Sequence, residues 1–233
     1  MLAQLLTNHG YDQLVGGEKL ISSIMNDIHT SLNKYTEPYM VPRDRIMEMA
    51  ELTADAFIGN DDPIGNFIFD GEPNHSYLKR RFFRSIVTSC SPDSLYQASS
   101  PQMEALAIWF PPGMDHSQDI DVDPFLESDF QDPETWNRMQ AVIDAIMDMT
   151  SDLGDTPQWY LHLIAVPPGH ACRHHASRLL APMMQRASDE GLPCTLITQR
   201  LENVMRYQHW GFHIVRERSV EGSNEKFTAM RKG

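Results

Sequence analysis

The apolar segment 159–166 constrains the fold of this chain more than any other part of the sequence. It is rich in β-forming residues and has the length of a buried central strand, and the prolines and glycine of 167–169 end it. A helical pattern follows over about 172–190, and a second strand is predicted over 194–198. This alternation of strands and helices predicts an α/β fold.

The rest of the chain carries similar alternating patterns. The further predicted helices and strands are 40–41, 44–57, 76–88, 96–98, 105–110, 133–150, 202–209, a strand to about 216, and 227–230. Residues 1–38 form a predicted helical extension with one apolar face. That face consists of Leu20, Ile21, Ile24, Met25, Ile28 and Leu32. We therefore expect an N-terminal extension, 1–38, followed by one domain, 39–233.

Charge and cysteine content narrow the class of protein. The formal charge of −13 argues against a nucleic-acid partner, because phosphate contacts need a basic face. The three cysteines have no framework spacing, which fits a reducing compartment, and no signal peptide or membrane span is predicted. We expect a cytoplasmic protein with a small-molecule substrate, no nucleic-acid partner and no membrane association. The sequence leaves open whether the protein forms a homodimer.

Acidic residues crowd the segment 115–134. They are Asp115, Asp119, Asp121, Asp123, Glu127, Asp129, Asp132 and Glu134. One interpretation is a solvated loop. The other is an acidic rim that attracts a cationic substrate such as an amine.

Several short motifs follow one another along the chain. They are Ala54-Asp55-Ala56-Phe57 with Asp62-Pro63, the segment 107–113, the strand 159–166, and Asn203-Val204-Met205-Arg206-Tyr207 followed by Gly211-Phe212. In their order along the chain and in their residues, these motifs resemble those of the GNAT superfamily of N-acetyltransferases over about residues 40–230. The resemblance implies a mixed, largely antiparallel sheet with helices on both faces. It also implies an acyltransferase that uses acetyl-coenzyme A (acetyl-CoA).

The resemblance further implies where the cofactor binds. The central strand, including Ala165 and Val166, would splay from its neighbour and hydrogen-bond the pantetheine arm. In the family, the next loop reads Gln/Arg-x-x-Gly-x-Gly/Ala and wraps the diphosphate at a helix N-terminus. The remaining positions that would bind the cofactor are Arg173, His175, Ala176, Ser177 and Asn203.

The diphosphate loop of this chain departs from the family pattern. Ala171 stands at the leading Gln/Arg position, Cys172 at a position that is commonly Gly, and His174 at the signature glycine. An imidazole at 174 takes space from the diphosphate, and a left-handed backbone there would add about 1–2 kcal/mol. Attraction of phosphate by Arg173 and the histidines is worth only about 0–1 kcal/mol. We therefore expect coenzyme A binding to be weakened or absent.

Two candidate catalytic residues lie in the matched motifs. Tyr207 matches the tyrosine that protonates the departing thiolate in many family members, and the alternative is a buried core tyrosine. His162 is a candidate general base, because imidazole titrates near neutrality, and the alternative is a structural histidine. Period-two alternation would place His162 on one face with Tyr160, Ile164 and Val166.

A dense histidine cluster follows the central strand. His170 and His174 are four residues apart, with Cys172 between them and His175 beside them. This spacing is conceivable for zinc, but no companion Cys/His set is nearby, so we predict no metal. The cluster also suits an acid–base pocket, which makes His174 the third candidate catalytic residue.

Three functions therefore remain open from the sequence. The first is transfer of an acetyl group from acetyl-coenzyme A to the amine of a small molecule. The second is a coenzyme-A-independent enzyme on the same scaffold, which would use acid–base catalysis for isomerisation, elimination, cyclisation or hydrolysis. The third is a non-catalytic binding protein. The resemblance favours the first, and the altered loop favours the other two.

Overall fold

The structure is a computed structural model, and it describes residues 37–58, 62–114, 124–153, 156–170 and 175–233. Three groups of predicted features lie outside these ranges. They are the helical extension before residue 37, the acidic residues 115–123, and the loop residues Ala171, Cys172, Arg173 and His174. The predicted domain boundary at residue 38 therefore stays a prediction.

The described residues form one seven-stranded mixed sheet. The strands are β1 (Tyr39–Met40), β2 (Leu95–Ala98), β3 (Leu106–Phe110), β4 (Trp159–Ala165), β5 (Cys194–Thr198), β6 (His213–Ser219) and β7 (Lys226–Lys232). Their order across the sheet is β1-β2-β3-β4-β5-β7-β6. The pairing of β4 with β5 is parallel and all other neighbouring pairs are antiparallel. The predicted α/β class and largely antiparallel sheet are confirmed.

Helices cover both faces of this sheet. They are α1 (Ile46–Phe57), α2 (Pro63–Ile68), α3 (His75–Thr88), α4 (Pro133–Asp152), α5 (His175–Asp189) and α6 (Leu201–His209). On one face, Leu179 and Met183 of α5 pack with Trp109 of β3 and Leu161 of β4. We call this set the α5-side core.

The opposite face carries two further buried clusters. In the first, Met49 of α1 packs with Ile108 of β3 and Leu163 of β4. In the second, Val142 of α4 packs with Phe227 of β7. Successive apolar residues of β3, such as Ile108 and Trp109, thus point to opposite faces, as the two-residue period of a strand requires.

Helix α2 is an element that the sequence patterns did not predict. Asp62 and Pro63 lie between the predicted helices 44–57 and 76–88, and the proline favours a break in the chain there, but Pro63 is the first residue of α2. Proline suits this position because its fixed φ fits a helix and the missing N–H would have no helical partner. The helix is only six residues long, which is too short for a helical repeat to stand out.

Candidate active site

Strands β4 and β5 separate part of the way along their length. Their parallel pairing ends at Leu161 and Leu196. β4 then continues to Ala165 along β3, whereas β5 continues to Thr198 along β7. We call this opening the β4–β5 gap. Because buried backbone N–H and C=O groups need partners, the facing strand edges suit an extended ligand that binds as an added strand.

Strand β4 bulges at its centre. Ile108 of β3 pairs with Leu163, and the next residue, Trp109, pairs with Leu161, so His162 has no Cα partner in the β3 register. A bulge inserts one residue and re-aims side chains. Accordingly, Leu161 packs in the α5-side core whereas Leu163 packs on the opposite face.

The bulge makes the predicted face of His162 wrong. Ile164 and Val166 pack against the α5-side core, but Tyr160 packs against the clusters of the opposite face. The imidazole of His162 stacks on Phe110 with ring centroids 4.4 Å apart and an interplanar angle of 19°, and it lies 6.2 Å from the Tyr160 ring. Since Phe110 belongs to the opposite face, His162 shares a side with Tyr160 but not with Ile164 and Val166.

Tyr207 lies in the second turn of α6 and is buried in the α5-side core. Its ring meets Trp210 and Phe212 edge-to-face, with centroids 5.8 and 5.7 Å away. Desolvation by burial raises the pKa of the phenol, so Tyr207 is protonated at neutral pH. His162 and Tyr207 thus approach the sheet from opposite faces, and the β4–β5 gap interrupts the sheet between those faces.

Helix α5 begins with a buried histidine. His175 is 9% exposed, and within the described ranges neither of its ring nitrogens has a hydrogen-bond partner. His170 lies edge-on to it with ring centroids 6.1 Å apart, and its buried Nδ1 has no hydrogen-bond partner among the described residues either. The Ser100 and Ser99 hydroxyls donate to Glu104 and, with a smaller contribution from the nearby His175, they lower the pKa of Glu104 to about 2. The structure therefore brings His170 and His175 together beside a carboxylate.

The other predicted cofactor-binding residues lie around the same edge of the sheet. Ala165 ends β4, and Val166 follows it and packs against the α5-side core. Ala176 and Ser177 lie in the first turn of α5, and the first N–H groups of a helix have no partner within the helix, which suits them to bind an anion. Asn203 lies in the first turn of α6, and its amide oxygen accepts a hydrogen bond from Arg206 at 3.4 Å.

A large cleft lies just beyond the carboxyl end of β5, and the residues that line it belong to elements other than β4 and α5. Its volume is about 980 Å³, and its walls come from α2, from 199–202 after β5, and from the β6–β7 turn. Asp70, Glu202 and Glu225 supply carboxylates, and Arg138 and Arg200 supply guanidinium groups. Clefts of this size commonly hold small molecules.

Sequence patterns missed both the stacking partner of His162 and the carboxylates of this cleft. The motif 107–113 includes Phe110, but its stack on His162 depends on the bulge. Asp70 and Glu225 belong to turns that are far apart in sequence, so no spacing relates them.

The described residues provide no obvious metal centre and no membrane span. In the five ranges given above, no group of three or more His, Cys, Asp or Glu side chains is placed to hold a metal ion. Within those ranges, too, every helix is too short or too polar to cross a bilayer.

Comparison with known proteins finds similarity in structure rather than in sequence. No protein-family model and no curated protein matches the sequence. A histone acetyltransferase HPA2-related acetyltransferase from Corynebacterium glutamicum matches with a TM-score of 0.54 and 17% identity, over 84% of this chain and 96% of its own.

Two N-acetyltransferases with named amine substrates match in the same way. Arylalkylamine N-acetyltransferase 2 from Aedes aegypti has a TM-score of 0.53 and 13% identity, over 83% of this chain and 96% of its own. An agmatine N-acetyltransferase has a TM-score of 0.51 and 13% identity, over 82% of this chain and 96% of its own. The chain therefore has the fold of the GNAT acetyltransferases, which confirms the resemblance inferred from its sequence at the level of fold.

Proposed function

We propose that this protein is an acyltransferase that moves an acetyl group from acetyl-coenzyme A to the amine of a small molecule. The β4–β5 gap carries the proposal, because it leaves a strand edge beside the amino end of α5. Solved structures with this fold include arylalkylamine and agmatine N-acetyltransferases, and both names specify amine acceptors.

The gap fits the pantetheine part of the cofactor. Pantetheine is an extended chain with two amide groups, and the backbone groups of β4 beyond Leu161 can pair with such a chain as with a strand. At the amino end of α5, the N–H groups of the first turn and the helix dipole suit a diphosphate. When bound, acetyl-coenzyme A supplies an acetyl group activated as a thioester.

His162 is proposed to take the proton from the attacking amine. The bulge aims its imidazole to the face that carries the cleft walls of α2, and the stack on Phe110 fixes the plane of the ring. A neutral imidazole has a pKa suited to accept a proton near neutral pH. As the amine nitrogen bonds to the acyl carbon, the carbon–sulfur bond breaks and the amine proton passes to His162.

Tyr207 is proposed to protonate the departing thiolate sulfur. Desolvation raises the pKa of its phenol, so Tyr207 holds its proton at neutral pH. The same dry surroundings disfavour an unprotonated thiolate, which brings the proton affinities of sulfur and phenol oxygen closer together. The position of Tyr207 in the α5-side core places it on the face where α5 begins. The proton that the phenol gives up is replaced from solvent.

Release of free thiol from acetyl-coenzyme A, measured with an added amine, tests this proposal. We expect His162→Asn and Tyr207→Phe each to lower kcat/KM by about 100-fold, the scale of general acid–base catalysis. His213→Asn and Tyr77→Phe are matched controls, because both side chains are exposed and lie outside the gap. Thiol release that neither His162→Asn nor Tyr207→Phe slows would contradict the assigned roles.

A further inference from the structure

Two histidines lie together between the end of β4 and the start of α5. The rings of His170 and His175 meet edge-on, with centroids 6.1 Å apart and an interplanar angle of 81°. Nδ1 and Nε2 of His175 and Nδ1 of His170 are buried, and none of the three has a hydrogen-bond partner among the described residues. Buried polar atoms in proteins are normally hydrogen-bonded, because a lost partner is costly. The pair therefore lacks the partners that buried imidazoles require.

The backbone fixes the positions of both histidines. The His170 N–H donates to the carbonyl oxygen of Pro167 at 3.2 Å, which closes a four-residue turn. Gly169 has a φ of 86°, as the third position of a type II turn requires, and the residue before it is proline, which suits the second position. His175 is the first residue of α5, and Leu179, one turn later on the same face, is buried in the α5-side core. The two rings are thus held together by a turn and a helix.

The spacing of the two rings suits one transition-metal ion between them. A zinc–nitrogen bond is about 2.0–2.1 Å long, so the centroid of a ligating imidazole lies about 3.2 Å from the ion. Two such centroids are about 5.2 Å apart at a tetrahedral angle and about 6.4 Å apart at most. The observed 6.1 Å lies inside this range, so small side-chain rotations complete the geometry. Imidazole suits zinc, copper and nickel, whereas magnesium and calcium prefer oxygen ligands.

The charges around the pair also favour a cation. The amino end of a helix opposes a positive charge with the equivalent of about half an elementary charge, and α5 begins at His175. Glu104 outweighs this effect, because it carries a full negative charge and lies close enough to His175 for charges on the two groups to interact. The Ser99 and Ser100 hydroxyls donate to Glu104 at 3.0 and 2.6 Å, which holds the carboxylate in place.

We propose that His170 and His175 bind one divalent transition-metal ion such as Zn²⁺, and that the ion joins the turn after β4 to the first turn of α5. Glu104 contributes its charge and no metal–oxygen bond, in keeping with the lack of a three-ligand group in the described ranges. Water fills the other positions of the ion, so the site binds more weakly than a closed four-ligand site. The proposal departs from the expectation of no metal drawn from the sequence, and it does not depend on acyl transfer.

Calorimetric titration of the metal-free full chain with Zn²⁺ tests this site. We expect one equivalent of Zn²⁺ to bind to the wild type, and excess Mg²⁺ not to displace it. His170→Asn and His175→Asn should each weaken Zn²⁺ binding at least about tenfold, and Zn²⁺ should raise the melting temperature of the wild type only. His213→Asn is the matched control, because its imidazole is exposed on the edge strand β6 and should leave both effects of Zn²⁺ unchanged.

Melting curves without metal show whether each variant is folded. Weakened Zn²⁺ binding in the folded variants, with His213→Asn unchanged, supports the proposal even where no acetyl transfer is detected. A wild type that binds no Zn²⁺, or unchanged Zn²⁺ affinity in either folded variant, overturns it. Because His170 lies at the end of a turn and outside the helices, His170→Asn decides the test if His175→Asn does not fold.

Discussion

Replacing Lys79 with methionine is expected to destabilise this protein strongly. The Lys79 ammonium group in α3 lies 3.6 Å from a carboxylate oxygen of Asp62 and donates to Asn66 at 2.9 Å. The two charged side chains are only 2% and 7% exposed. At an effective dielectric constant of about 20, charges at this distance attract by about 4–5 kcal/mol. Removing one partner of a buried pair lowers the free energy of unfolding by about 3–5 kcal/mol, which is the loss we expect at pH 7.

The effect of this substitution should depend on pH. Desolvation by burial raises the pKa of Asp62 above its ordinary value. Such a carboxyl group contributes stability that is fully present below about pH 3.9, its unfolded pKa, and lost as the pH rises through the folded pKa. Loss of the Lys79 charge raises that pKa further. The deficit of Lys79→Met relative to wild type should therefore shrink as the pH falls from 7 towards 4.

Urea unfolding at pH 7 and pH 5 measures both effects. The variants are Lys79→Met, Asp62→Asn and the double variant. The free energy of unfolding lost by the double variant should be smaller, by about 2 kcal/mol or more, than the sum of the losses of the two single variants. Lys226→Met is the control, because its pair with Glu217 is about half exposed and is worth less than about 1 kcal/mol. Two results would refute the reasoning. One is a Lys79→Met variant that loses less than about 1 kcal/mol of unfolding free energy, and the other is a Lys79→Met substitution that costs as much in Asp62→Asn as in the wild type.

Two further predictions concern the surroundings of α5. Pro182 lies inside this helix and removes one backbone hydrogen bond. Pro182→Ala should therefore raise the free energy of unfolding by about 1–3 kcal/mol. An unchanged urea midpoint would contradict this prediction. Glu104 has a pKa lowered to about 2 by the Ser100 and Ser99 hydroxyls and His175, so its stabilising effect is present above about pH 4.3 and lost as the pH falls towards 2. Glu104→Gln should therefore be less stable than wild type at pH 6, and the difference should vanish near pH 2 in urea titrations.

The parts of the fold that the sequence predicts are those with strong local patterns. The apolar run of β4, the helical pattern of α5 and the strand predicted over 194–198 each belong to a single segment, and the structure has the expected element at each. The short helix α2 has too few residues for a period to show. Its first residue, Pro63, therefore looks like a break although it begins a helix.

The parts of the site that the sequence does not predict depend on pairing between segments. The side of the sheet that His162 faces depends on a bulge, and a bulge is defined by the register of β4 against β3. The composition of the cleft depends on segments, including two turns, that only the folded chain brings together. For this reason Tyr207 and His162 are found from sequence as residue types in a motif, whereas Asp70 and Glu225 emerge only from the structure.

Mass spectrometry of a panel of small amines, after incubation with the purified protein and acetyl-coenzyme A, tests the proposed acyl transfer most directly. The account predicts an acetylated amine and one equivalent of free thiol, both formed about 100-fold more slowly by His162→Asn. The result that would contradict it is unmodified amine with intact thioester, under conditions in which calorimetry shows an amine of the panel bound. In that case the protein would either catalyse a reaction that does not use coenzyme A or act as a binding protein.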